Sequence, residues 1–318
     1  MKALQVPERE CDDIAGFVAS LKKDIVEVQE RCRAGMKRIP VIFFALISAA
    51  CTTFQRTPWS PLAPCALTGF ADTGGYQSAQ IGFVSDGLKI GGLLTKPKGD
   101  GPFAVYVHNH GAMTREQAGG PLWRTAGEIE SRLAAAGYVV LRVARRGYLG
   151  SEGLATTYWV RGSPLRVADV IKGAYDEARD VNAAIEYLSQ CPFVDRTRIA
   201  VGGHSLGGLV AVIAAAKNPH VAGLVSVNGG IAWIQNGIQQ GFAAVREVWR
   251  AEAAGLSAPA LLLHGQDDAV ITPELSRELA ALLQQRAAPV TLKIFPGDHS
   301  VYPIDEIVNF LDGTVKRR

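Results

Sequence analysis

The sequence lacks the features by which metal-binding and nucleic-acid-binding chains are commonly recognised. Its five cysteines form no Cys-x-x-Cys pair and no cluster with histidine, so no metal site is predicted. The net charge is only +3, and no basic stripe is interleaved with aromatic residues, which argues against nucleic-acid binding. What remains is ordinary globular composition: 48% hydrophobic and 20% charged residues over 318 positions, enough for a sizeable core in one large domain or two small ones.

A signal-peptide pattern precedes Cys51. Two basic residues, Lys37 and Arg38, are followed by the apolar stretch Val41–Ala50, which is shorter than the roughly 20 residues needed to span a bilayer. The pattern resembles a bacterial lipoprotein signal, which implies lipidation of Cys51 as the mature N-terminus. Ser48 departs from the bulky aliphatic residue usual in that family, so ordinary cleavage, and a buried apolar strand, stay open as alternatives.

This pattern divides the chain into four predicted segments. Residues 1–35 have helical spacing of apolar residues, but a signal peptide would not work behind them, so we predict Met36 as the true start. Residues 36–50 are the signal peptide, 51–76 a linker rich in Pro, Ser and Thr, and 77–318 a catalytic domain. The predicted location is the bacterial cell envelope or periplasm, with membrane attachment if Cys51 is lipidated.

From about residue 77 onward, strand-like and helix-like patterns alternate. The strand-like runs are continuously apolar, which indicates a parallel sheet covered by helices on both faces. A hairpin signal, Ser-Asp-Gly at 85–87, adds antiparallel strands at one edge. The predicted fold is α/β, with eight strands in one mostly parallel sheet. Helices are predicted over 119–137, 167–190 and most of 238–254.

The stretch Gly203-His204-Ser205-Leu206-Gly207 fits the pattern G-x-S-x-G between a strand and a helix. This context is what a nucleophile elbow requires, because the flanking glycines allow a tight turn that exposes the serine hydroxyl. The helix that follows points its N-terminal N–H groups at the same place, where an anion would be stabilised. Ser205 is therefore the predicted nucleophile.

A serine needs a base, and the base needs an orienting acid. In this topology the chain order is Ser, then Asp or Glu, then His, each in a loop at the carboxyl edge of the sheet. Asp267 and Asp268 follow one strand-like run, and His299 follows the last one. His220 and His264 precede the carboxylates and do not fit this order. His299 is therefore the predicted base, with one of the two aspartates as the acid.

At these motifs the chain from about residue 77 to its end resembles the α/β-hydrolase family, in particular its dienelactone-hydrolase-like and prolyl-oligopeptidase-like branch. The family pattern H-G-x-x-D-x-V, placed on His264, implies Asp268 as the acid, followed by Val270. The chain departs from true dienelactone hydrolases, whose nucleophile is Cys, and from haloalkane dehalogenases, which carry Asp at that position.

The fold also implies an oxyanion hole made of two backbone N–H groups. One belongs to Leu206, directly after the nucleophile, and the other comes from the loop after the third strand of the domain. Gly111 allows that loop to bend, and Ala112 is the preferred donor, with Met113 as second choice. Arg146, in a turn similar to the family's RGxGxSxG sequence, is predicted to be structural.

These residues predict a serine hydrolase that cleaves small or medium carboxylic esters through an acyl-enzyme, with no metal or organic cofactor. Two alternatives stay open: a prolyl-oligopeptidase-type serine peptidase, made less favourable by the short leader, and a non-catalytic binding module. The segments near 151–166 and 231–254 carry four large aromatic residues. These either form a wall that binds the acyl group or are ordinary packing residues, and they are Tyr158, Trp159, Trp233 and Trp249. The sequence does not predict the oligomeric state.

Overall fold

The computed structural model describes residue 65 and residues 70–156, 167–235 and 238–317, which belong to one compact unit, Pro61–Arg318. It does not describe the side chains of Arg115 and of residues 234–239. The predicted signal peptide, Cys51, Tyr158 and Trp159 lie outside the described residues.

Nine strands form the main sheet of the described chain, in the order β1-β2-β3-β5-β4-β6-β7-β10-β11. Their bounds are Ala71–Asp72 (β1), Tyr76–Ser85 (β2), Leu88–Pro97 (β3), Phe103–Asn109 (β4), Tyr138–Ala144 (β5), Val194–His204 (β6), Val221–Val227 (β7), Ala260–Gly265 (β10) and Val290–Phe295 (β11). The first three strands pair antiparallel, β3 pairs antiparallel with β5, and the rest of the sheet is parallel. The eight predicted strands are confirmed, and the two-residue strand β1, too short to leave a sequence pattern, is the ninth.

Seven α-helices of the described chain connect these strands. They are Arg115–Ala118 (α1), Glu128–Ala135 (α2), Val167–Ser189 (α3), Leu206–Lys217 (α4), Phe242–Glu252 (α5), Pro273–Gln285 (α6) and Ile304–Thr314 (α7). A separate antiparallel pair, Trp233–Gln235 (β8) and Ile238–Gln240 (β9), lies between β7 and α5. Among the described residues, no helix combines the length and hydropathy needed to cross a bilayer.

Two predicted helices are shorter than their sequence patterns. The pattern over 119–137 becomes helical only at Glu128, where the Glu130 carboxylate accepts a hydrogen bond from the Gly127 N–H at 2.7 Å and so closes the first turn. The pattern over 238–254 begins as strand β9 and turns into helix α5 after Gly241, whose φ of 103° is one that glycine adopts readily.

Helices α2 and α7 cover one face of the sheet. Leu133 of α2 and Leu311 of α7 are fully buried and pack with Tyr106 of β4 and with residues of β7 and β10. Helices α3 and α4 contact each other and the strands β4 and β6. Residues Leu206–Ala215 of α4 are all buried, so this helix is enclosed almost all round. The turn at the start of α4 is therefore attached to a helix that is itself buried.

Candidate active site

Ser205 occupies a strained turn between β6 and α4. Its φ of 55° and ψ of −123° lie outside the regions that a residue with a side chain ordinarily adopts. The turn is held by strand β7 and the residues after it, because the Ser205 N–H donates to the Val227 carbonyl at 2.9 Å and the Ser205 carbonyl accepts from the Gly230 N–H at 3.1 Å. Non-glycine strain of this kind is commonly found at functional sites.

The glycines around the serine are required by close backbone approach. A Cβ atom at Gly203 would lie 2.5 Å from the Asn109 carbonyl oxygen, and one at Gly207 would lie 2.2 Å from the same atom. The turn therefore packs directly on the end of β4. As a result the next loop comes close as well: a Cβ at Gly111 would lie 3.5 Å from the Cβ of Ser205.

Asp268 and His299 form a hydrogen-bonded pair in the loops that follow β10 and β11. The Nδ1 atom of His299 lies 2.7 Å from Oδ2 of Asp268, whose side chain is completely buried. The other carboxylate oxygen accepts the N–H groups of Val270 and Ile271, at 2.9 and 2.8 Å. Asp267 is exposed. A proton on Nδ1, held by the carboxylate, leaves Nε2 of His299 free to accept a proton.

The side chain of His264 contacts both Asp268 and the loop that carries it. Its Nε2 lies 2.9 Å from the Ile271 carbonyl and 3.3 Å from Oδ2 of Asp268, and its Nδ1 lies 2.7 Å from the Ser276 hydroxyl. Because a carbonyl only accepts, Nε2 must carry the hydrogen. Burial lowers the pKa of His264, so the ring is neutral. It therefore fixes the loop that carries Asp268 without adding a charge.

Ser205 and His299 are connected through His204, the residue before the serine. The ring centroids of His204 and His299 lie 4.7 Å apart, and His204 Nε2 lies 2.7 Å from the His299 carbonyl oxygen. No hydrogen bond joins the Ser205 hydroxyl to His299 in the described part of the chain. Such bonds often tighten only when substrate is bound, and the action of Ser205, His299 and Asp268 as a set stays a prediction.

The two predicted oxyanion donors are both available. Leu206 is the first residue of α4, so its N–H has no acceptor within the helix. Ala112 is exposed in the loop after β4, and its N–H donates to no acceptor among the described residues. Both loops meet at Ser205, but the pairing of these two donors around one oxygen stays a prediction.

The structure also contains two buried polar networks near β4 and β5 that the sequence did not predict. In one, Nδ1 of His108 lies 2.7 Å from the fully buried carboxylate of Glu130. Burial alone raises the pKa of Glu130, but hydrogen bonding and charge from His108 and the charge of Arg142 outweigh it and lower that pKa to about 2. In the other, Arg145 pairs with Glu177 at 2.6 Å, with both side chains fully buried.

Arg146 has the structural role predicted for it. Its guanidinium binds the Asp180 carboxylate of α3 at 2.7 Å and Asp86 at 2.9 Å. Trp249 is 1% exposed within α5, so it is a packing residue rather than part of an acyl-binding wall. Trp233 is only partly buried in β8, a strand that the sequence did not predict.

The architecture is that of the α/β hydrolases, as the sequence predicted. Pyrococcus horikoshii acylaminoacyl peptidase matches 76% of this chain at 21% identity and a TM-score of 0.58, over 42% of its own length. Porphyromonas gingivalis dipeptidyl peptidase 4 matches 76% at 20% identity and a TM-score of 0.59, over 36% of its length. Acetyl xylan esterase from Paenibacillus sp. R4 matches 77% at 19% identity and a TM-score of 0.60, over 87% of its length.

Within this class, the sequence model of the dienelactone hydrolase family matches residues 113–303. The chain therefore belongs to the dienelactone hydrolase family. It spans less than half of the length of the two peptidases.

Proposed function

We propose that the protein is a serine hydrolase that cleaves carboxylic esters through a covalent acyl-enzyme on Ser205. The observation that carries the proposal is the buried Asp268 carboxylate, held 2.7 Å from Nδ1 of His299 in the loop next to the strained Ser205 turn. A carboxylate in this place fixes the tautomer of the histidine and stabilises its charged form, as a serine nucleophile needs.

The reaction has two steps. The Ser205 oxygen attacks the ester carbonyl while Nε2 of His299 takes its proton, and the N–H groups of Leu206 and Ala112 hold the developing oxyanion. Collapse breaks the bond to the alcohol, which leaves with the proton from His299. A water molecule, deprotonated by His299, then attacks the acyl carbon and releases the acid and the Ser205 hydroxyl.

The same groups could also cleave an amide, so the peptidase alternative is decided by substrate and not by the catalytic residues. A panel of p-nitrophenyl esters of rising chain length, run beside aminoacyl p-nitroanilides, separates the two. We expect turnover of esters, with the anilides cleaved far more slowly. Faster cleavage of the anilides would favour the peptidase.

A fluorophosphonate probe tests the nucleophile. The probe should label the protein once, at Ser205, because the trapped phosphorus centre mimics the tetrahedral intermediate and needs the base and the oxyanion donors. Ser205→Ala should abolish labelling and ester turnover while leaving the melting temperature unchanged or raised, since the strained turn costs stability. Undiminished hydrolysis by Ser205→Ala would contradict Ser205 as the nucleophile, whereas neither labelling nor ester turnover in the wild type would favour the binding-module alternative.

We also propose that the protein is exported. Support comes from a disulfide between Cys65 and Cys191, which the sequence did not predict. Disulfides persist in oxidising compartments such as the periplasm and are rare in the cytosol of mesophiles. Mass spectrometry of protein from the native host tests the route: a chain beginning at Cys51 supports cleavage there, and a diacylglyceryl adduct on Cys51 supports anchoring. A retained peptide from residues 1–35 would contradict the start at Met36.

A further inference from the structure

Two side-chain N–H donors converge on the carbonyl oxygen of His299. Nε2 of His204 lies 2.7 Å from this oxygen and Nδ2 of Asn228 lies 3.0 Å from it. The two nitrogens are 3.4 Å apart. Because a carbonyl oxygen has two lone pairs and only accepts, both nitrogens must donate, and their approach to each other reflects the shared acceptor.

Asn228 joins three parts of the site. It directly follows β7 and is fully buried, with a φ of 48° that an asparagine tolerates better than most residues. Its Nδ2 also donates to the Val301 carbonyl at 3.1 Å, and its Oδ1 accepts the N–H of Gly265, the last residue of β10, at 2.8 Å. Every hydrogen-bonding atom of the amide group is thus used to connect the ends of β7 and β10 to the loop of His299.

His204 is suited to donate and not to act as a base itself. Burial is the largest cause that lowers the pKa of His204; together with the charge of His299 it outweighs the hydrogen bond to the His299 carbonyl, which raises the pKa, and the net pKa is about 4. The ring is therefore neutral across the range in which a serine hydrolase works. The N–H group of the neutral His204 ring donates to the His299 carbonyl. Of these two histidines, His299 is the one whose Nδ1 lies beside a carboxylate, that of Asp268.

Two main-chain hydrogen bonds also hold the loop of His299: the Asp267 N–H donates to the Gly297 carbonyl at 2.9 Å, and the Val301 N–H donates to the Asp298 carbonyl at 3.2 Å. Asp298 and Ser300, on either side of the histidine, are exposed and bond to each other. Within the described residues the Asp268 carboxylate holds the ring, and the His204 and Asn228 side chains hold the main chain. A shift of about 1 Å in a reacting group can reduce the rate by about 100-fold.

We propose that His204 and Asn228 are positioning residues that hold the main chain of His299, so that its Nε2 stays aligned with Ser205. His204 is covalently joined to Ser205, so the bond from His204 to His299 sets the separation of nucleophile and base even without a Ser205–His299 hydrogen bond. The inference rests on the proposed function, in which His299 is the base.

The test compares variants at residue 204. His204→Phe keeps a ring of similar size but removes the donor, whereas His204→Gln keeps an N–H near the position of Nε2. We expect His204→Phe to lower kcat for p-nitrophenyl acetate by about 10- to 100-fold with KM within about twofold. His204→Gln should recover most of that loss. His220→Phe, which replaces an exposed histidine far from Ser205 in the fold, is the matched control and should behave as wild type.

A second measurement separates positioning from a general structural role. In a His299→Ala background there is no base left to position, so adding His204→Phe should cost nothing more in residual turnover. We expect the low-field proton NMR signal of the His299 Nδ1–H to be sharp in the wild type and broadened in His204→Phe. An equal loss in the His299→Ala background, or wild-type kcat in His204→Phe, would overturn the inference.

If His204→Phe does not fold, Asn228→Gly serves in its place, because glycine tolerates the positive φ at that position. We expect the same loss of kcat with little change in KM, and wild-type kcat would count against the inference. The two proposals fail differently. Ester turnover by Ser205→Ala would contradict the serine-hydrolase function itself, whereas an inactive Ser205→Ala beside a fully active His204→Phe would contradict only the positioning role.

Discussion

Asp267 and Asp268 are neighbours in the chain but lie in opposite environments. Asp268 is buried against His299, whereas Asp267 is exposed. Asp268→Asn would place an amide beside Nδ1 of His299 and favour the wrong tautomer, so we expect kcat to fall by on the order of 10⁴-fold with the fold intact. Asp267→Asn is the control, with activity close to wild type. Ester hydrolysis and circular dichroism measure both, and a larger loss in Asp267→Asn would move the acid by one position.

The partly buried His204 makes the stability of the fold depend on pH. Below about pH 6.5 the unfolded chain protonates His204, while the folded chain, with a pKa of about 4, does not, so stability falls as pH drops from 6.5 to 4. Glu130, with a folded pKa of about 2, extends the loss from about pH 4.5 downward. Urea midpoints measured between pH 7 and 4 should therefore decrease, and less steeply in His204→Gln. An identical slope in the two proteins would contradict a neutral His204 with a lowered pKa in the folded state.

At the scale of single elements, two helical glycines have very different surroundings. A Cβ at Gly207 in α4 would lie 2.2 Å from the Asn109 carbonyl, whereas a Cβ at Gly313 in α7 would meet nothing within 4 Å. We expect Gly207→Ala to destabilise the protein by about 1–3 kcal/mol or prevent folding, since backbone must move. Gly313→Ala should be neutral or stabilising by up to about 1 kcal/mol, because alanine favours helix. Thermal denaturation of both variants measures these changes in stability. A Gly207→Ala protein with wild-type stability would contradict the close packing of the turn on β4.

Elements with a local signal were predicted well. Continuous apolar runs predicted eight of the nine strands of the main sheet. Helix α6 also begins with a local signal, because Pro273 is its first residue and the Thr272 hydroxyl accepts the Glu274 N–H. The pattern G-x-S-x-G placed Ser205 in its turn, because that turn depends on the glycines next to it.

Elements and contacts that depend on distant partners were not predicted. The β8–β9 pair is formed by segments with no strand-like alternation, and β1 exists only because β2 is beside it. Asn228 left no motif, since its role comes from meeting the loop of His299, 71 positions away. The Arg145–Glu177 pair likewise joins the residue after β5 to α3 only through the fold.

At the scale of the whole molecule, the candidate site and the disulfide lie at opposite ends of one strand. Cys191 precedes β6 and Ser205 follows it, and an 11-residue strand is about 35 Å long. The site lies at the carboxyl edge of the parallel strands, where α/β sheets bind ligands. The disulfide instead ties the segment before β1 to the connection between α3 and β6. Stability and catalysis are therefore expected to respond separately to reduction.

The Cys65–Cys191 disulfide closes a loop with a sequence separation of 126, so it should restrict the unfolded chain strongly. Reduction with dithiothreitol, or Cys191→Ala, is expected to lower the free energy of unfolding by about 2–5 kcal/mol while kcat of the folded enzyme stays unchanged. Urea titrations with and without reductant measure the free energy of unfolding. Ester hydrolysis in buffer without urea measures kcat. Cys191→Ala should also lose its sensitivity to reductant. Peptide mapping without reduction is the control for the bond itself: a Cys65 peptide alkylated as a free thiol in protein from the native host would contradict the pairing, and with it the support for export.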